Sequence, residues 1–300
     1  MNNSALDELR FSADYARSRQ SRFVGFLRRL LSARMAAPSL VIVVIVVLAA
    51  IFAPWISPHD PLAQDPFHGL ANPTWNHLLG TDQLGRDSLS RLIYGSRVAL
   101  AVGFGAVAFG VVIGMPIGVV SGYLRGAVDD VLMRVMDAIV AFPGLVLALA
   151  LVSVRGASLG NVIFAIGVGN IPYIARITRS EALAIRGRDY VLAAEATGAT
   201  SWRIMFSHVM PNTLAPVIVQ STLGMAYAVL ASAGLSFLGV GVPQPTPSWG
   251  SDLQFAFGFM SIQPLVAIVP GVAIFALVLA FNILGDAFRD VLDPRLRGSI

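Results

Sequence analysis

Residues 190–212 read YVLAAEATGATSWRIMFSHVMPN, a mixed polar and apolar stretch between two long hydrophobic segments. Tyr190, Val191, Leu192, Ala193, Ala194, Glu195, Ala196 and Thr197 make an alanine-rich run of good helix formers. Gly198, followed by Ala199, stands where a helix end takes a left-handed residue. Thr200 or Ser201 can cap a second helix, Trp202 to Met210, which carries Arg203 in its first turn and is broken by Pro211. A short helix that presents Val191, Leu192, Ala194 and Ala196 outside a membrane needs a partner groove to bury them. A hairpin lying on its own protein is the alternative.

The surroundings of this stretch are those of a membrane protein. Of the 300 residues 56% are hydrophobic and 13% charged, and the mean hydropathy is +0.73, outside the range of soluble globular chains. Cysteine is absent, which excludes disulfides and thiolate chemistry. Lysine is absent too, all 21 basic side chains being arginine, so a phosphate-binding loop with its Gly-Lys pair is excluded. If the chain works with ATP, another polypeptide hydrolyses it. A net charge of +4 and a pI near 9.9 fit membrane orientation better than nucleic-acid binding.

Apolar runs at 40–56, 98–123, 131–154, 160–178, 213–239 and 264–285 predict six spans, the first about 25 Å long at 1.5 Å per residue. This predicts an all-α polytopic protein. Its parts are an arginine-rich N-terminal segment 1–38, a first span 39–57, an outer loop 58–97, a five-helix core 98–285 and a tail 286–300, with the loop 181–212 inside the core. Arg22 to Arg34 carries apolar residues at helical spacing and reads as a surface helix or a disordered tail. With the N-terminus inside, 17 arginines fall on the inner side and only Arg86, Arg91, Arg97 and Arg155 outside. That bias places both termini and the 190–212 stretch in the cytoplasm.

Gly110, Gly114, Gly118 and Gly122 recur every fourth residue in the second span and form a groove for close helix packing. Pro116, Pro143, Pro172, Pro216 and Pro270 interrupt or begin spans and are expected to bend them. Asp130, Arg134 and Asp137 fall on one helix face, as an interfacial ion ladder or, alternatively, an ion relay. Asp286, Arg289, Asp290 and Asp293 read in the same way. His59, His68 and His77 stand nine residues apart and with nearby Asp60 and Asp65 offer ligands to a divalent metal, but the spacing matches no compact ligand motif and no metal site is expected. The pattern Gly156-Ala157-Ser158-Leu159-Gly160 matches a nucleophile elbow in letters but lacks the strand such an elbow needs.

Taken together, these residues resemble the inner-membrane permeases of bacterial dipeptide and oligopeptide ATP-binding-cassette importers. Ala193, Ala194, Gly198 and Pro211 match the family's cytoplasmic motif, while Leu192 stands in place of its glutamate and Met210 in place of its leucine. Leu79-Gly80-Thr81-Asp82, Gly85-Arg86-Asp87 and Ser90-Arg91 are similar to the signature before the second span. Thr246-Pro247-Ser248-Trp249-Gly250 is similar to the outer loop before the last span, and Phe281-Asn282, Leu284-Gly285-Asp286, Arg289-Asp290 and Leu292-Asp293-Pro294-Arg295 to the C-terminus.

The resemblance implies a type I importer permease fold with cytoplasmic termini in the bacterial inner membrane, and a subunit that is not itself an enzyme. It implies a second homologous permease, two cytoplasmic ATPases that bind ATP and Mg, and a periplasmic or lipid-anchored substrate-binding protein as partners. It also implies that residues 190–206 couple to an ATPase, with no cofactor held by this chain. Spans two to five are expected to line the substrate path. An ion-gradient-driven secondary transporter and, more remotely, an intramembrane hydrolase at Ser158 are the competing functions.

Overall fold

The computed structural model describes residues 35–292. The proposed surface helix at 22–34, Asp293 and the residues after it lie outside the described residues. Helix α1 is Ala36–Ile56, α2 Ser88–Leu124, α3 Gly126–Val140, α4 Gly144–Arg155, α5 Leu159–Arg186 and α6 Asp189–Ala196. Helix α7 runs Ser201–Phe237, α8 Trp249–Phe257 and α9 Leu265–Leu292. Five of these helices, α1, α2, α5, α7 and α9, are each long and apolar enough to cross a membrane.

The sixth expected span has a different form. Its sequence is carried by α3 and α4, which meet at an angle of 85°. The physical reason is Pro143, which lacks an amide hydrogen, forces the preceding residue out of the helical region and caps α4 at its start. Pro143 is among the prolines expected to bend spans; the structure makes that bend a sharp break between an amphipathic half bearing Asp129, Asp130, Arg134 and Asp137 and an apolar one. Pro116, Pro172 and Pro270 sit inside continuous helices. Pro211 does not end a helix either. Helical structure continues from Ser201 through a wide turn at Ile204–Val209 and a tight one at Met210–Thr213 into Leu214–Phe237. Changing the hydrogen-bond register around the proline is how its missing donor is accommodated.

Helices α2 and α5 form the centre of the bundle, and the four-residue glycine repeat lies in their contact. A Cβ on Gly110 would stand 2.9 Å from the Asn170 Cβ, on Gly114 2.7 Å from the Ile171 carbonyl oxygen, on Gly118 2.4 Å from that of Ala175 and on Gly122 2.7 Å from that of Arg179. The two backbones are therefore closer than any side chain would permit. Around this axis Val102, Ala106, Val152, Val162, Ile166, Ala228 and Leu235 join α2, α4, α5 and α7 in one apolar core. Ala99, Val229, Trp249, Leu277 and Phe281 join α2, α7, α8 and α9 in another. Helix α1 packs on α2 and α9.

At 37 residues α2 is about 55 Å long, well beyond the roughly 30 Å of a bilayer's hydrocarbon core. Its two ends therefore project on opposite sides. The N-terminal end carries the loop 57–87 and the C-terminal end meets residues 189–209, so α2 positions both surfaces.

Candidate functional site

The stretch between α5 and α7 is built as a hairpin of short helical pieces. Arg188 has extended backbone before α6, and Asp189 places a carboxylate in its first turn, where the helix dipole favours it. Gly198 closes α6 at φ +81°, with its amide on the Glu195 carbonyl at 3.0 Å and the Ala199 amide on the Ala194 carbonyl at 3.0 Å. This pair of bonds is a left-handed helix stop, and it reverses the chain. Thr200 then caps α7, its hydroxyl oxygen accepting from the Arg203 amide at 3.4 Å.

One side of the hairpin is sealed against the bundle. Val191, Ile204, Met205 and Val209 are buried with Val119, Tyr123, Ala182 and Ile185, while Ala194, Ala199, Phe206 and Met210 pack on the edge of that cluster. The Tyr123 hydroxyl donates to the Glu195 carboxylate at 2.8 Å. Arg186 donates to the Tyr123 carbonyl at 2.8 Å and lies over its ring. Glu195 is thus tied to the end of α2, a link that neither composition nor motif indicates.

The opposite side is open. Tyr190, Leu192, Ala193, Ala196, Gly198, Ser201, Trp202, Arg203 and Pro211 are exposed. Leu192 is 50% and Trp202 66% accessible. The expectation that Val191 faces a partner is corrected, because that side chain is wholly buried within its own protein. Ala194 is half-buried for the same reason, since both point at α2. Leu192, Ala196 and Trp202 remain exposed, as does Arg203.

The interfacial charges pair differently from the ladder expected on one helix. Arg176 donates to Asp137 at 2.8 Å, and Arg179 makes a two-pronged ion pair with Asp129 at 2.5 and 2.6 Å. The Ser121 hydroxyl also donates to Asp129. These contacts clamp α3 to α5 and α2. An ion relay along Asp130, Arg134 and Asp137 is not the arrangement formed, since Asp137 turns to the neighbouring helix. Ser158 caps α5, its hydroxyl oxygen accepting from the Asn161 amide at 3.1 Å. His208 lies in the hairpin beyond the other end of α5, a helix about 42 Å long, so the two form no hydrolytic pair.

At the other end of α2 the separated motifs converge. Arg86 pairs with Asp82 at 2.5 Å and donates to the Gln244 side chain at 3.0 Å. Arg91 pairs with Asp252 and donates to the Pro61 carbonyl at 3.2 Å. The Trp249 indole donates to the Leu92 carbonyl at 2.8 Å. Both arginines are almost fully buried, so these pairs fasten the loop to α2 and α8 where water does not screen them. The Arg91–Asp252 pair joins residues 161 apart and could only be found in three dimensions.

Comparison with known proteins agrees with this architecture. Residues 114–298 match the family described as the inner membrane component of binding-protein-dependent transport systems, and residues 21–73 match the N-terminal transmembrane domain of oligopeptide transport permease C. The chain is 42% identical over 270 residues to the dipeptide transport system permease protein DppC of Haemophilus influenzae, covering 88% of this chain and 92% of the relative. It is 40% identical over 274 residues to the glutathione transport system permease protein GsiD of Escherichia coli, covering 91% and 90%. Its fold is similar to that of the methionine ABC transporter MetNI in an inward-facing conformation, with a TM-score of 0.56, 23% identity and coverage of 67% of this chain and 96% of that one. The chain is therefore a multi-pass inner-membrane protein and belongs to the dipeptide and oligopeptide ATP-binding-cassette importer permease family.

Proposed function

We propose that this permease carries dipeptides, oligopeptides or related small solutes such as glutathione inward by alternating access, and that residues 190–206 couple it to an ATPase. Its relatives are named as dipeptide and glutathione permeases, and the membership supports work with ATPase and substrate-binding partners. In this reading the permease pairs with a second homologous subunit. Two cytoplasmic ATPases bind ATP and Mg beneath the pair, and a periplasmic or lipid-anchored protein delivers the solute from outside. The arginine distribution supports cytoplasmic termini and a cytoplasmic hairpin.

The observation that carries the coupling role is the two-sided hairpin. Val191, Ile204 and Val209 lock one side to α2 and α5, while Leu192 and Trp202 are left open on the other. Force applied to the open side reaches two core helices directly, because the buried cluster and the Tyr123–Glu195 bond leave little slack.

Gly198→Trp tests the role. Nothing lies within 4 Å of a Cβ at this position, so the chain has space for the indole, and Gly198→Ala, which carries the same backbone strain at φ +81° without the bulk, is the control expected to retain uptake. In proteoliposomes containing the whole importer, the expected outcome is normal membrane insertion with ATP-driven uptake lost. Normal uptake and substrate-stimulated ATP hydrolysis would contradict the coupling role. Gradient-driven uptake by this chain without an ATPase would instead support a secondary transporter.

A further inference from the structure

The loop 57–87 gathers three groups that the sequence keeps 18 and 10 residues apart: His59, His77 and Asp87. One ligand atom from each lies within 4.8 Å of the other two. The His77 Nδ1 is 2.9 Å and the His59 Nδ1 3.8 Å from the same oxygen, Oδ1 of Asp87. The other oxygen, Oδ2, is engaged separately, accepting from the Ser90 amide and hydroxyl, each at 2.7 Å, at the start of α2. One carboxylate oxygen thus holds the helix and the other faces two imidazoles.

We infer that His59, His77 and Asp87 form a binding site for a divalent transition-metal ion, with Zn²⁺ as its representative, that clips the outer loop to the N-terminus of α2. Two imidazoles and a carboxylate suit zinc, copper or nickel ions, whereas calcium and magnesium prefer all-oxygen ligands. The geometry is close to what such an ion needs. With metal–nitrogen bonds of about 2.1 Å, rings whose centres are 4.7 Å apart meet an ion at roughly a right angle. The 2.9 Å separation of the His77 nitrogen and the Asp87 oxygen fits two adjacent ligands at such bond lengths. His59, the most exposed of the three, needs to close its longer separation by only about half an ångström.

The site is held by its own surroundings. The His59 amide donates to the Ser90 hydroxyl at 3.1 Å, and His77 sits in a turn closed by Thr74, which accepts from the His77 amide at 3.0 Å and donates its own amide to the His77 carbonyl at 2.9 Å. Asp87 is almost wholly buried, while His59 is exposed, so protein supplies three ligands and solvent has access to the remaining positions. His68, the third member of the nine-residue series, is engaged elsewhere. Its Nδ1 lies 2.7 Å from Asp65, whose carboxyl it holds below the ordinary value of 3.8. Spacing alone argued against a metal; the fold pairs two of the three histidines with a carboxylate the spacing did not include.

The test is equilibrium Zn²⁺ binding to the intact importer, purified in detergent with an affinity tag free of histidine and without transported solute. The native assembly is expected to bind one more Zn²⁺ per copy of this chain than the His59→Gln/His77→Gln variant, and His68→Gln is expected to bind as the native does. Asp87→Asn keeps an oxygen for the helix cap but removes the anionic ligand, and should weaken binding by about tenfold or more. Co²⁺ in place of Zn²⁺ should give a visible absorption band that the double variant lacks. Because an ion that binds only the folded loop stabilises it, Zn²⁺ should raise the unfolding temperature of the native assembly and leave that of the double variant unchanged. Equal zinc stoichiometry in the native and double-variant assemblies, both monodisperse and active, would overturn the inference. So would an equal loss in His68→Gln.

Discussion

Gly85 shows how much can rest on one residue. It holds φ at +73°, and a Cβ there would stand 1.8 Å from the Asp65 carbonyl oxygen. The left-handed backbone alone costs a side chain about 1–2 kcal/mol, and the overlap adds to that. Gly85→Ala is therefore expected to displace the 65–85 contact, loosen the Arg86–Asp82 pair and lower the thermal unfolding temperature of the purified protein by several degrees. A scan in detergent that matches the native protein would contradict this. The motif around Gly85 is visible in the sequence, but its reason is not, since Asp65 precedes it by a loop whose path no local pattern reveals. The same holds for Val191. Its apolar character and helical setting are plain in the sequence, but which way it points depends on where the end of α2 arrives.

Among the elements, α2 and α5 carry the clearest correspondence between pattern and packing. The four-residue glycine interval already specifies a smooth stripe, and the stripe lies against the α5 backbone. Gly118→Ala would bring a methyl within 2.4 Å of the Ala175 carbonyl oxygen, whereas Gly169→Ala, in α5, meets nothing within 4 Å. The first is expected to destabilise the protein by about 1–3 kcal/mol, because neither backbone can give way without moving a whole helix. The second should be tolerated. Folded yield and unfolding temperature in detergent distinguish the two, and equal tolerance would contradict the close α2–α5 approach. The α3–α4 element was less legible. Pro143 marks the bend in the sequence but not its 85° size, and only the three-dimensional pairing of Asp129 with Arg179 and Asp137 with Arg176 shows how α3 is held against α5.

At the scale of the whole molecule, α2 links two surfaces about 55 Å apart: a loop fastened by buried arginines at one end and a two-sided hairpin at the other. The membrane class and the hairpin are readable from hydropathy and Gly198, and the missing lysine excludes a phosphate-binding loop in this chain, while the ATPase partner follows from the family. The buried pairs and the histidine cluster are not, because they join residues whose meeting depends on the path of the loops. The central claim is that the open side of the hairpin docks on an ATPase, and the absence of cysteine from this chain makes it directly measurable. Leu192→Cys and, as a control on the other side, Trp75→Cys each place a single thiol at an exposed position of this chain. Crosslinking of the assembled, active importer is expected to join Leu192→Cys to an ATPase subunit and to leave Trp75→Cys without such an adduct. An assembled, active complex in which Leu192→Cys gives no ATPase adduct would contradict the account.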